Sequence, residues 1–163
     1  MRYHNITKDD MLNGDGLRAV LWVAGCTHKC KGCHNPVTWD IEGGIPFDEA
    51  AKEELFEAIK PDYISGVTFS GGDPLHPANH VEVAVLAKEI KETFPNKTIW
   101  LYTGFCWDEI KTLDVVKYCD VIVDGPFGQE EFDGTLHWKG SKNQRVIDVQ
   151  ETLRRKEIVL YEF

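Results

Sequence analysis

The chain has 163 residues, and domains of about 150 residues are the norm, so we expect a single domain over residues 1–163. Its 27 acidic and 18 basic residues give a formal net charge of -9, which argues against nucleic acid or an anionic membrane as a partner, because both require a basic surface. The first ten residues lack the apolar segment of a secretory signal, and no apolar run approaches the roughly 18 residues of a membrane span, so we expect a cytoplasmic protein.

Short apolar segments alternate with amphipathic ones along most of the chain, which is typical of βα units. The segments predicted as strands are 18–24, 64–69, 98–102, 121–124, 145–149 and 158–161. The predicted helices are one from about Asp48 to a stop at Pro61, and three more at 78–94, 107–113 and 150–156. Repeated βα units imply a parallel sheet with right-handed crossovers, and about 160 residues are too few for a complete eight-fold barrel. The sequence therefore predicts an α/β fold with a parallel sheet, in the form of a partial, open β/α barrel.

The unusual residues of the chain follow the predicted strands, at the point where each strand ends. Three cysteines follow the first strand, Ser70-Gly71-Gly72-Asp73-Pro74 the second, Thr103-Gly104 the third and Asp124-Gly125-Pro126-Phe127 the fourth. Because the carboxyl ends of parallel strands meet at the same edge of a sheet, we expect these loops to form a single site.

Cys26, Cys30 and Cys33 form a C-x3-C-x2-C motif in a chain that carries five cysteines. In a reducing compartment such a cluster indicates metal ligation or redox chemistry, and soft sulfur ligands select iron–sulfur clusters, zinc or Cu(I). Three cysteines on a four-iron cluster leave one iron open to an outside ligand, which is typical of a reactive site. The alternative is zinc held by the three cysteines with His28 or His34. We favour the iron–sulfur cluster, because the sequence lacks the second paired hook of a structural zinc site.

Gly71 and Gly72 allow the backbone to approach a ligand closely and to contact it with amides and carbonyls. A Gly-Gly turn is also an ordinary connection between a strand and a helix, so by itself it indicates little. Next to an open iron, however, these glycines can cradle a cosubstrate.

The cysteine motif after the first buried strand, with Gly71-Gly72-Asp73-Pro74 after the second, resembles the radical S-adenosylmethionine enzymes. Within them, the chain is similar to the activating subunits of anaerobic (class III) ribonucleoside-triphosphate reductase over nearly its whole length. The segments that carry this similarity are Asn13-Gly14, Gly32-Cys33-His34-Asn35, 70–77, 99–104, 123–127, Trp138 and Gly140-Ser141-Lys142-Asn143-Gln144-Arg145. Gly32 departs from the wider superfamily, in which an aromatic residue often precedes the third cysteine, so no side-chain contact to adenine is expected from this position.

The resemblance implies a barrel of the radical S-adenosylmethionine type, with a [4Fe-4S] cluster on Cys26, Cys30 and Cys33. The open iron would bind the amine and carboxylate of S-adenosylmethionine. The residues expected to contact this cosubstrate through their backbone are Gly32, Cys33, His34, Gly71, Gly72 and Asp73. One electron from the reduced cluster would cleave it to methionine and a 5'-deoxyadenosyl radical, which takes a hydrogen atom from a glycine of the large reductase subunit. No catalytic side chain beyond the cluster and the cosubstrate is implied.

The partners implied by the resemblance are the large reductase subunit and a flavodoxin- or ferredoxin-type electron donor, in a homodimer or in a heterotetramer with the reductase. Two alternatives remain open. The first is an activase of another glycyl-radical enzyme, of the pyruvate formate-lyase type. The resemblance implies a longer chain and a fuller barrel for such activases, so the short length of this chain counts against this alternative. A non-enzymatic zinc or iron–sulfur binding module would explain the cysteines but not the Gly-Gly-Asp loop.

Several other polar residues have a structural explanation beside a functional one. The histidines that we expect to be solvated on loops are His28, His34, His76 and His80. Asp124 suits either a ribose or the turn that follows it, and Arg145 suits a cofactor, a partner or a turn. Cys119 is expected in the core, and Cys106 is isolated in the sequence, without an assigned role.

Overall fold

The structure is a computed structural model that describes residues 1–26, 28, 39–128, 133, 138–139 and 141–162. The strands found there are β1 (Arg2–Asp10), β2 (Arg18–Val23), β3 (Ile45–Pro46), β4 (Gly66–Gly71), β5 (Thr98–Tyr102), β6 (Val121–Asp124) and β7 (Arg145–Asp148). The helices are α1 (Glu49–Ile59), α2 (His80–Thr93), α3 (Trp107–Ile110) and α4 (Val149–Arg155), with a 3-10 helix at Asp114–Tyr118. Among these described helices, none has the length and apolar character needed to cross a membrane.

The described strands form one open, mixed sheet in the order β3-β1-β2-β4-β5-β6-β7. β2, β4, β5 and β6 run parallel to one another, as the βα pattern predicts. β1, β3 and β7 are antiparallel to their neighbours, so the expectation of a parallel sheet is wrong at both edges. The reason at the first edge is chain length, because the short connection 11–17 between β1 and β2 permits a hairpin but not the crossover that a parallel pair requires.

The two ends of the chain differ from the sequence-based expectation. The sequence pattern does not predict β1, because most of its residues are polar and only Tyr3 and Ile6 are buried, so it lacks the apolar run of a central strand. Its strand conformation follows from pairing with β2. The strand predicted at 158–161 is wrong, since Leu160 makes only an isolated bridge to Ile147.

The predicted helices are present with some changes at their ends. α1 begins as expected, because the Asp48 side chain accepts a hydrogen bond from the amide of Ala51 at 2.9 Å, and it ends just before Pro61. The helix predicted at 107–113 is shorter, since α3 gives way to the 3-10 helix. α2 begins two residues later than predicted, after Asn79.

Alternate residues of the central strands face opposite sides of the sheet. On one side, Ile99 and Leu101 of β5 belong to the larger core, to which α1, α2 and the 3-10 helix contribute. On the other side, Trp100 belongs to a smaller cluster, where its ring packs edge-on against Trp138 and Tyr161. The side with the smaller cluster also carries a buried charge.

Arg18, the first residue of β2, is completely buried on that side. Its guanidinium donates hydrogen bonds to the Thr68 hydroxyl at 2.9 Å, to the Val67 carbonyl at 2.9 Å and to the Thr98 carbonyl at 2.7 Å. The guanidinium carbon also lies 5.6 Å from the centre of the Trp100 ring. Burial lowers the pKa of Arg18 to about 10, so the side chain remains charged at neutral pH. Arg18 therefore joins β2, β4 and β5 near their amino ends, at the edge away from the cysteines.

We expect Arg18→Met to destabilise the protein by about 3 kcal/mol, because the methionine fills the space but removes every hydrogen bond of the guanidinium, including those to the Val67 and Thr98 carbonyls and to the Thr68 hydroxyl. Urea unfolding of the metal-free protein measures this loss. Arg154→Met is the control, since Arg154 is exposed and pairs with Glu151 on the same helix, and its midpoint should stay at the wild-type value. A wild-type midpoint for Arg18→Met would contradict the role given to Arg18.

Candidate functional site

The predicted meeting of the loops is confirmed where the structure describes them. The chain beyond β2 runs beside the loop that follows β4, because the amide of Gly72 donates to the Val23 carbonyl at 2.8 Å and the amide of Asp73 donates to the Gly25 carbonyl at 2.7 Å. Cys26 is the next residue, half-buried, with its amide bonded to the Trp39 carbonyl at 3.1 Å. The first predicted metal ligand thus lies next to the Gly-Gly-Asp loop.

Gly71 makes this close approach possible. Its φ is +105°, and a Cβ at this position would lie 2.5 Å from both the nitrogen and the oxygen of Val23. The glycine is therefore required by the contact between two segments of the chain. The amides of Gly72 and Asp73 already donate to the carbonyls of Val23 and Gly25 in this contact. That the loop also contacts a ligand through its other backbone groups stays a prediction.

The carboxylate of Asp73 is 1% exposed and accepts hydrogen bonds from several loops. Its Oδ1 accepts from the amide of Leu75 at 2.9 Å and from the hydroxyl of Thr103 at 2.8 Å. Its Oδ2 accepts from the amide of Gly104 at 2.9 Å and from Nε2 of His28 at 2.7 Å. The donors lie on three loops: the loop after β2, here the cysteine loop, the loop after β4, here the β4 loop, and the loop after β5, here the β5 loop. All three loops thus converge on one buried carboxylate.

His28 is not the solvated histidine that the sequence suggested, since its side chain is 16% exposed. Its imidazole packs edge-on against the ring of Phe105, with 4.5 Å between the ring centres. The hydrogen bond to Asp73 raises the pKa of His28, and the partial burial of the ring opposes this shift. The imidazole of His76, in contrast, accepts from the amide of Ala78 within its own turn.

Asn79 is a residue of this site that the sequence analysis did not identify. It is completely buried, and its amide nitrogen donates to the carbonyls of Ala24 at 2.9 Å and Asp73 at 3.2 Å. Its Oδ1 is buried and has no hydrogen-bond partner in the described part of the chain. A polar residue just before a helix normally indicates a cap, but Asn79 makes no capping hydrogen bond and joins the β2 and β4 loops instead.

Asp124 and Arg145 form a second polar pair at this edge. Nη2 of Arg145 lies 2.7 Å from Oδ2 of Asp124, and Nε donates to Oδ1 at 3.1 Å. The same buried carboxylate accepts from the amide of Trp107 at 2.8 Å, and its hydrogen bonds raise the pKa of Arg145. Gln144 and Asn143 donate to the carbonyls of the Gly125-Pro126 turn. Of the roles left open by the sequence, this geometry favours the structural one, because Asp124 is already paired.

The predicted ligands are described only in part. Cys30, Gly32, Cys33 and His34 lie outside the described residues, so their predicted roles remain predictions. Thiolates are the ligands that iron–sulfur clusters take, and Cys26, the one predicted ligand within the described residues, stands at the carboxyl edge of the sheet, so this residue fits such a cluster.

The two cysteines outside the motif differ from each other. Cys119 is completely buried, as expected, and burial raises the pKa of its thiol strongly. Cys106 is exposed at the start of α3.

Comparisons with known proteins agree with this site. A family model described as a 4Fe-4S single cluster domain matches residues 12–147. The chain is 43% identical over 146 residues to the anaerobic ribonucleoside-triphosphate reductase-activating protein of Enterobacteria phage T4, covering 90% of this chain and 93% of that protein. It is 40% identical over 150 residues to the protein of the same name from Pasteurella multocida, covering 88% of this chain and 95% of the relative. The corresponding protein of Escherichia coli K12 is 40% identical over 150 residues, with 90% and 97% covered.

The chain belongs to this family of reductase-activating proteins. The resemblance that the cysteine and glycine motifs indicated is therefore confirmed. The matched region runs from the connection before β2 to β7, so it contains every loop of the site and assigns a 4Fe-4S cluster domain to it.

We expect Asp73→Asn to destabilise the metal-free protein by about 2 kcal/mol. In either orientation, the new NH2 group faces a backbone amide that must also donate, from Leu75 on one side or Gly104 on the other. Asp108→Asn is the matched control, because this aspartate is exposed and forms a surface pair with Lys111. Urea unfolding distinguishes the two variants, and equal midpoints would mean that the Asp73 carboxylate does not hold the loops together.

Proposed function

We propose that this protein is a radical S-adenosylmethionine activase that generates the glycyl radical on the large subunit of anaerobic ribonucleoside-triphosphate reductase. The observation that carries the proposal is the identity of 40–43% to proteins with this activating role in their names, over 88–90% of the chain. The aligned region includes the cysteine motif and the loops that meet around Asp73.

In this proposal Cys26, Cys30 and Cys33 hold a [4Fe-4S] cluster, and the backbone of Gly32, Cys33, His34, Gly71, Gly72 and Asp73 lies along S-adenosylmethionine. When bound, the cluster supplies the electron that cleaves the cosubstrate to methionine and a carbon radical, which removes a hydrogen atom from the target glycine. The protein's own part is to orient these groups. The contacts between Gly25 and Asp73, and between Val23 and Gly72, support it, because they keep the root of the cysteine loop against the β4 loop.

We further propose that the open sheet is a partial barrel of the radical S-adenosylmethionine type, formed by one domain over residues 1–163. The four central parallel strands support this interpretation, and so do the buried polar residues Thr68 and Ser70 of β4. An incompletely closed barrel suits a substrate that is a glycine on the loop of a large partner, because that loop has to enter.

The partners in this proposal are the reductase, in a heterotetramer or with the activase as a homodimer, and a flavodoxin- or ferredoxin-type electron donor. The protein would act in the cytoplasm, where thiols remain reduced. The names of the relatives favour the reductase over pyruvate formate-lyase as the target. A zinc-binding module is the remaining candidate from another class.

We expect the protein, reconstituted anaerobically with iron and sulfide and then reduced, to give an electron paramagnetic resonance signal that changes when S-adenosylmethionine is added. Cys30→Ala should abolish the signal, because an incomplete ligand set does not hold the cluster. Cys106→Ala is the matched control and should keep it, since Cys106 lies outside the motif. Purified protein that retains one zinc and ignores S-adenosylmethionine would overturn the proposal.

The target is tested by adding the large reductase subunit to the reduced, loaded protein. A glycyl-radical signal on that subunit, dependent on S-adenosylmethionine, is the expected result. A signal on pyruvate formate-lyase but not on the reductase would identify the alternative activase.

A further inference from the structure

We infer that His28 is the positioning residue that fastens the cysteine loop to the β4 and β5 loops. It does so through a clamp made of His28, Asp73, Gly104 and Phe105, which we name the His28 clamp. The inference rests on the proposed function, because it assigns the clamp the task of placing Cys26 and Cys30 for the metal that they bind.

The anchor of the clamp is independent of His28. The carboxylate of Asp73 accepts hydrogen bonds from the amides of Leu75 and Gly104 and from the hydroxyl of Thr103. Its orientation therefore does not depend on the imidazole of His28. Nε2 of His28 then donates to Oδ2 over 2.7 Å, and this contact is partly shielded from solvent. A hydrogen bond to a buried, ionised acceptor is stronger than one between neutral groups.

The imidazole is confined by packing as well as by this hydrogen bond. The ring of Phe105 meets it edge-on, and Gly104 lies close beside it. Cys26 and Cys30 are each two residues away from His28 in sequence, so the chain couples their positions to that of His28. Fixing the side chain of His28 therefore restricts the positions open to both cysteines.

Gly104 provides an independent indication that the clamp is specific. A Cβ at Gly104 would lie 2.5 Å from Cδ2, 2.7 Å from Cγ and 2.8 Å from Nε2 of His28. The φ of Gly104 is not in the left-handed region, so an alanine there is acceptable to the backbone. The three atoms nearest to this Cβ all belong to the imidazole. The methyl group of Gly104→Ala would therefore displace His28 from Asp73.

The test compares iron release to a chelator from the reconstituted wild type with that from His28→Ala, Gly104→Ala, His28→Gln and the double variant. We expect His28→Ala and Gly104→Ala each to lose iron about tenfold faster, as is typical when a group supporting a metal ligand is removed. His28→Gln should remain within about threefold of wild type, because the Gln amide can donate to Asp73. The double variant should be no faster than His28→Ala, since the methyl group at Gly104 obstructs only the imidazole.

A general loss of stability would not produce this pattern. Rescue by Gln and the absence of additivity both depend on the contact between two named residues on different loops. The second readout is the change that S-adenosylmethionine causes in the electron paramagnetic resonance signal of the reduced protein. The two single alanine variants should need a concentration of S-adenosylmethionine about tenfold higher than wild type to reach the same change in this signal. His80→Ala is the matched histidine control, outside the clamp, and should behave as wild type.

Three results would overturn the inference: wild-type iron release from His28→Ala, a Gln variant as fast as the Ala variant, or additive effects in the double variant. Failure of the proposed function looks different, because it is a property of the wild type. If the wild type retains zinc instead of iron, the same variants are compared for zinc release, since the clamp acts on the cysteines whichever metal they hold.

Discussion

A carboxylate that is removed from water needs hydrogen-bond donors, and Asp73 obtains them from three different loops. The amide of Leu75 belongs to its own loop, Thr103 and Gly104 to the loop after β5, and His28 to the cysteine loop. Because the desolvated charge would be costly without these partners, the loops are held in one arrangement relative to each other. This carboxylate contacts all three loops, and the backbone bonds of Gly72 and Asp73 and the side chain of Asn79 reinforce the contact between two of them.

A buried cation has the corresponding role at the other edge of the sheet. Arg18 donates to groups on β4 and β5, and it does so without a carboxylate in direct hydrogen-bond contact among the described residues. The parallel strands are therefore joined by side chains near both ends, by Arg18 at the amino edge and Asp73 at the carboxyl edge. Apolar packing against α1, α2 and the 3-10 helix stabilises the strands between these two points.

For several residues, the residue type correctly indicates a special role, but it does not identify the partner that the residue contacts. Gly71 indicated a close approach, but the partner that the structure shows is Val23 of the neighbouring strand. Asn79 was in the position of a helix cap and instead holds the carbonyls of Ala24 and Asp73. The local sequence around His28 predicts a solvated side chain, because nothing in it indicates a buried acceptor. In each case the residue type showed what the position could do, and its spatial neighbour decided what it does.

Local hydrophobic patterns and short motifs predict the order of the central βα units, the loops that carry the unusual residues, and the cysteine spacing that indicates the family, and all three can be read from the amino-acid sequence. The strand conformation of β1, the antiparallel direction of β7, the burial of Arg18 and the contact of His28 with Asp73 depend instead on contacts made in the folded chain. That contact joins residues 45 positions apart, and the bond of Arg18 to Thr68 joins residues 50 apart. Such pairs arise when strands that are distant in sequence align in the sheet, and no local pattern in the chain specifies them.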